Sequence, residues 1–206
     1  MEILQQLGLA LGFATLSGLN LYLTVLVSGL AIRFDWVSLA ERYESLAVLG
    51  DWWVIGVAGG LFLVEFFADK VPWVDSTWDT VHTVVRPAGG ILLALAALGD
   101  LDPVVSVVAA LLAGGTTLVT HSAKAGGRLL INLSPEPVSN AVASVGEDGL
   151  VLGGLTLMAL APAVAFFVFV VLVIVAMVIA SKTWGSIRTG GRMLRERFRG
   201  KRIEAA

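Results

Sequence analysis

Two sets of ionisable residues recur at helical spacing inside stretches that are otherwise apolar. In the first, Glu65 and Asp69 lie four apart with Lys70 beside them. Beyond Pro72, Asp75, Asp79, His82 and Arg86 then step by four, three and four. In the second, Thr117, His121, Lys124 and Arg128 repeat the same steps, with Asn132 four further on. Residues three and four apart share a helical face, so each set is a polar stripe, the first mainly acidic and the second basic. Stripes of opposite sign on separate helices invite pairing across a protein interior. They also invite ion traffic: His121 sits mid-way along an apolar run, and an imidazole can relay protons near neutral pH. His82 reads as an interfacial histidine bonded to Asp79 or Asp75, and Asn20 is the one strongly polar side chain in the first long apolar segment.

The elements carrying these stripes belong in a membrane. From Gly149 to Ala180 there are 32 residues without a charged side chain, whereas a hydrocarbon layer ~30 Å thick needs about 20 helical residues to cross it. Hydrophobic residues make up 57% of the chain and charged ones 15%, against about 25% charged in soluble domains. Charge at membrane depth costs roughly 2.5–3.5 kcal/mol per group on insertion scales, so it marks a pathway, a binding site or a paired network. The 23 glycines among 206 residues suit close helix approach and offer homo-oligomer contacts.

Apolar patterning predicts six helices, at 7–32, 46–68, 74–98, 104–131, 149–160 and 162–183, the last two meeting at Ala161-Pro162, where proline interrupts a helix. The fold class is an all-α polytopic bundle: one transmembrane domain over 1–184 and a basic tail over 185–206. From Lys182 onward there are eight Lys/Arg and two Glu, a net +6, so residues 1–181 carry −8. The Lys/Arg bias places this end in the cytoplasm. Six crossings then put the N-terminus there too, with Arg33 and Arg42 outside. The tail's Arg192, Arg195, Arg197, Arg199, Lys201 and Arg202, with Met193, Leu194 and Phe198 as an apolar side, suit contact with anionic lipid. Ser17 to Arg33 aligns without gaps on the segment starting at Gly114, matching Gly18 with Gly115, Leu21 with Leu118 and Gly29 with Gly126. That faint repeat suggests two inverted halves of three helices with broken or re-entrant segments, as in small transporters. The SPEPVSN segment, Ser134 to Asn140, reads as a solvated loop or such a re-entrant break.

Several chemistries drop out. Zero cysteines exclude disulfides and thiolate sites. There is no H-E-x-x-H, no Walker lysine motif and no G-x-S-x-G elbow. No cofactor or metal is expected, although His82, His121, Glu65 and Asp69 could be imagined around an ion. Nucleic acid is not implied by a basic tail that follows a membrane helix.

VEFFADKVPWVDSTWDTVHTVVRP (Val64 to Pro87), HSAKAGGRLLINLSPEPVSN (His121 to Asn140), the trailing SVGED and the early SGLNLYLTVL resemble the bacterial and plant membrane proteins grouped as Domain of Unknown Function 4126. The resemblance covers roughly residues 8–180 and implies a small polytopic protein, in a bacterial chain one of the inner membrane. It transfers no catalytic residue. From the residues, the expected function is a transporter or channel, not an enzyme, passing a small ion or anionic solute along Glu65, Asp69, His121, Lys124 and Arg128. The competing readings are a structural or assembly subunit whose charges pair helices, and an intramembrane enzyme acting on lipid through His121.

Overall fold

A computed structural model describes residues 2–37, 44–132 and 137–204, with the side chains of 186–204 outside that description. The expectations for Arg42, for Ser134 to Glu136 and for the lipid contacts of Arg192, Arg195, Arg197, Arg199, Lys201 and Arg202 therefore lie outside the described residues. The elements are α1 (Glu2–Arg33), a 3-10 turn (Glu44–Gly50), α2 (Trp52–Ala68), α3 (Pro72–Leu98), α4 (Pro103–Ile131), α5 (Pro137–Leu160) and α6 (Pro162–Glu204). They form a polytopic helical bundle with no strand among the described residues.

The helix ends follow from local chemistry. Asp51 and Asp102 cap α2 and α4, their carboxylates accepting from Trp53 N at 2.8 Å and Val104 N at 2.9 Å. Pro72, Pro103, Pro137 and Pro162 open four helices, where a missing N–H costs no hydrogen bond. Gly99 ends α3 at φ 71°, a conformation glycine adopts without strain. α3 is one helix, so the short apolar stretch after Arg86 spans by continuing from its polar first half. The expected start of α5 is corrected: it begins at Pro137, not Gly149. Apolarity undercounts it because its N-terminal half turns Asn140, Ser144 and Glu147 inward.

Five helices (α1, α3, α4, α5 and α6) have the length and apolarity to cross a membrane, and α2 with the 3-10 turn makes a sixth, bent by 62°. α1, however, is not straight. Asn20 leaves helical geometry at φ −149°, ψ 99°, and its Oδ1 accepts from Leu23 N at 2.9 Å, capping a second helical half. Contacts show where each half goes. Leu7, in the first half, borders a cavity shared with Leu98 at the end of α3, and Gly8 lies against Pro162. In the second half Gly29 lies against Leu49 and Ile55, and the Arg33 guanidinium sits 5.0 Å over the Trp52 ring. Trp53 and Ala96 border one groove, so the start of α2 is also level with the end of α3. Both ends of α1 are therefore at the same end of the bundle, and α1 is a hairpin turning at Asn20. This corrects the expected single crossing over 7–32. With α2 to α6 crossing in alternation there are five crossings, and the start of α1 and the end of the α6 span face opposite sides. The repeat is also incomplete in the backbone: Thr117, aligned with Asn20, lies within the continuous helix α4.

The hairpin is the core. Leu9, Phe13, Leu16 and Phe169 are fully enclosed, while Val107, Leu111, Phe167, Val171 and Ile174 face outward as a lipid-compatible belt. Close packing depends on glycine at a few points. A Cβ on Gly8 would run into the Pro162 carbonyl, which is backbone and cannot rotate away, whereas Gly56 has nothing within 4 Å. Gly8→Ala is therefore expected to lose about 1–3 kcal/mol, as overpacked sites do, and to lower the melting midpoint in detergent. Gly56→Ala should be neutral or slightly stabilising through helix propensity. Equal midpoints for the two variants would refute this account of the contact.

Candidate functional site

The break in α1 is where the polar groups converge. In a continuous helix Leu23 N would bond the Leu19 carbonyl; here it bonds Asn20 Oδ1, and Leu19 O instead accepts from Lys124 Nζ at 3.1 Å. The neighbouring Gly18 carbonyl accepts from Arg86 at 3.2 Å. Asn20 Nδ2 donates to Asp148 Oδ1 of α5 at 3.0 Å, and Thr24 Oγ1 donates to Asn20 O at 2.7 Å. Irregular backbone at membrane depth is tolerated only where protein groups satisfy it, and basic side chains supply that here.

Around this break the two stripes meet. Arg86 donates to Glu65 at 2.8 Å and lies 3.5 Å from Asp79. Lys124 lies 3.4 Å from Glu65, 3.3 Å from Asp69 and 3.4 Å from Glu147. Arg128 holds Glu147 through two nitrogens, at 2.7 and 3.1 Å, and reaches Asp69 at 3.4 Å. It also donates to the Asn140 carbonyl at 2.9 Å. A polar extension follows toward the α4 C-terminus: Asn140 donates to Asn132 at 2.8 Å, and Asn132 to Asp75 at 3.1 Å. All of these charged groups but Glu147 and Asp148 are almost wholly enclosed, and the Glu147 side chain is 16% exposed.

Both imidazoles have both nitrogens engaged. Arg86 can only donate, so His121 Nδ1 accepts from it at 2.8 Å, and Nε2 then carries the hydrogen, 3.0 Å from the Asp79 carbonyl. His82 is buried, not interfacial, and does not use Asp75 or Asp79. Its Nδ1 donates to the Trp78 carbonyl at 2.8 Å and its Nε2 accepts from the Tyr22 hydroxyl at 2.9 Å. Thr117 stands apart from the charges; its hydroxyl lies 2.7 Å from Ala14 O and 2.9 Å from Ala113 O, joining α1 to α4. Lys70 is not brought in either: it donates to its own helix at Phe66 O, 2.7 Å away, and lies over the Phe66 ring. Partial burial lowers the pKa of this ammonium from its ordinary value.

Glu65, Asp69, Asp75, Asp79, Glu147 and Asp148 thus number six carboxylates around three basic groups, Arg86, Lys124 and Arg128. Glu65 Oε2, Asp69 Oδ1 and Asp75 Oδ1 are buried and have no hydrogen-bond partner among the described residues. No group of three or more His, Asp or Glu among those residues is arranged to hold a metal ion. Sequence reasoning placed Arg86 in the first stripe without a part in the pathway, placed Asn140 only in the SPEPVSN segment, and gave no role to Tyr22, Glu147 or Asp148. A signal for α5 existed: Asn140, Ser144 and Glu147 step by four and three, as the other stripes do.

No curated protein and no solved structure matches this chain. A family model does match, over residues 7–182, nearly all of the hairpin-and-bundle unit that assembles the charge cluster. The chain therefore belongs to the family described as Domain of unknown function (DUF4126).

Proposed function

We propose that this protein passes a proton or small cation across the membrane, using the carboxylates around the α1 break as its carrier groups. The observation that carries this reading is the imbalance of six carboxylates against three basic groups. A surplus of negative charge at that depth is costly, and protons or a cation would offset it. The buried, unpartnered oxygens of Glu65, Asp69 and Asp75 are where such a charge would bind. Transporters often place their ion and substrate sites at broken helices near the midplane; here Lys124 and Arg86 take the freed carbonyls, which leaves the carboxylates to bind the charge. An anionic cargo is less well supported, because Arg86, Lys124 and Arg128 already hold carboxylates and backbone carbonyls. That same saturation favours the second reading, a structural or assembly subunit in which the network fastens five helices together.

For orientation, the end bearing Lys70, Lys182 and the arginine-rich tail is proposed as cytoplasmic by the Lys/Arg bias. The other end carries Arg33 among Asp35, Asp51, Asp100 and Asp102. In a bacterial cell the membrane would be the inner one. The test is purified protein in liposomes containing a pH dye, with a potassium diffusion potential imposed and sodium uptake followed in parallel. Flux above empty vesicles is expected, and Glu65→Gln should reduce it at least tenfold while the protein still reconstitutes. Absence of proton, sodium and potassium flux from folded protein would favour the structural reading.

A further inference from the structure

A large opening in the described bundle lies away from the charge cluster. It is a groove of about 700 Å³ between α1, the 3-10 turn, α2 and α3, walled by Leu21, Val25, Val54, Ala58 and Leu93. That volume falls within the roughly 300–1,000 Å³ of ligand sites. We infer that it binds a glycerophospholipid, with one acyl chain in the groove and the phosphate on Arg33.

The groove has the depth of one leaflet. Along α2 it runs from Trp53 to Leu61, a rise of about 12 Å at 1.5 Å per residue, against about 15 Å for half a hydrocarbon core. Its deep end reaches Tyr22, whose hydroxyl faces His82 and the enclosed polar groups, so a chain entering from the interface stops at mid-membrane. The shallow end carries the marks of an interface. Phe34 stacks on Trp36 with ring centroids 5.8 Å apart and meets Trp52 edge-on at 6.2 Å, and aromatic rings of this kind sit at headgroup level.

Arg33 supplies the charge complementarity. It is exposed at this end of α1, its guanidinium lies 5.0 Å over the Trp52 ring, and Trp53 beside that ring lines the groove. No carboxylate lies within ion-pair distance of it among the described residues, in contrast to Arg86, Lys124 and Arg128. A guanidinium presents a planar fork of donors that matches phosphate. An apolar channel of leaflet depth, with a guanidinium at its mouth that pairs with no carboxylate among the described residues, fits a phosphate diester on a diacyl chain better than a fatty alcohol or a sterol. The assignment does not depend on whether ions move through the charge cluster.

The experiment is native mass spectrometry of the full chain in detergent, titrated with dioctanoyl phosphatidylglycerol and, separately, with dioctanoylglycerol, which lacks the phosphate. The phospholipid should bind at least tenfold more tightly. Arg33→Gln should remove that difference and leave dioctanoylglycerol binding unchanged. Leu92→Trp, at a groove residue that is 70% exposed, should fill the groove and weaken both ligands at least fivefold. Both positions are exposed, and an unchanged melting midpoint verifies that the fold is intact. Equal binding of the two ligands by the native chain would mean ordinary annular lipid and overturn the proposal. Undiminished phospholipid binding in either variant would overturn it as well. A dimer that Leu92→Trp dissociates, with no lipid retained, would assign the groove to a second copy instead.

Discussion

Replacing Arg86 by methionine is expected to cost about 3–5 kcal/mol, the range seen when one partner of a buried ion pair is removed. Arg86 is fully enclosed and ties four helices together. It donates to Glu65 of α2 at 2.8 Å, to Gly18 O of α1 at 3.2 Å and to His121 of α4 at 2.8 Å, from its own place on α3. Methionine fills a similar volume, so the loss comes from stranding the Glu65 carboxylate and leaving the Gly18 carbonyl without its donor at the helix break. Adding Glu65→Gln removes the stranded charge, and the double variant should regain about 0.5–3 kcal/mol relative to the sum of the single changes. Unfolding in mixed micelles, followed by circular dichroism against denaturant, measures all four members of the cycle. Strict additivity would mean that Arg86 and Glu65 do not meet. The cycle also bears on function. If stability recovers in the double variant while ion flux stays lost, the pair belongs to the pathway as well as to the scaffold.

Much of this arrangement was legible in the sequence because charge inside an apolar chain has few places to go. The spacings of four and three along Glu65 to Arg86 and along Thr117 to Arg128 determine which side chains share a face. The cost of exposing either stripe to lipid requires that they meet. The third contributor was missed for a related reason. Glu147 and Asp148 interrupt an apolar run, so a search for apolar segments starts the helix after them at Gly149. In the folded chain they face Arg128 and Asn20, and the helix begins twelve residues before Gly149, at Pro137. The turn at Asn20 was the harder feature. Apolarity records that a segment prefers lipid or core but not its direction, so a hairpin of two apolar halves looks like one crossing. The local clue is chemical: Asn20 can cap Leu23 N with its own side chain, offering the backbone an alternative to the helical bond. The clue becomes decisive only with Lys124 and Arg86 present to take the released carbonyls, and those lie more than sixty residues away in sequence.

The turn at Asn20 has an all-or-none consequence for topology. With α1 a hairpin, five crossings remain, and Gln5 and Trp184 must lie on opposite faces of the membrane. A straight α1 gives six crossings and puts them on the same face. The chain has no cysteine, so Gln5→Cys and Trp184→Cys can each be probed singly with a membrane-impermeant maleimide, in intact and in permeabilised cells. Gln5→Cys is expected to label in intact cells. Trp184→Cys should label only after permeabilisation, since the Lys/Arg-rich end stays inside. Two separable ideas are at stake. Reversed labelling of the pair would overturn the orientation but keep the hairpin, because parity depends only on the number of crossings. Labelling of both from the same side would eliminate the hairpin. It would also remove the reason for Leu19 O and Gly18 O to face Lys124 and Arg86, because a straight helix keeps those carbonyls for its own backbone.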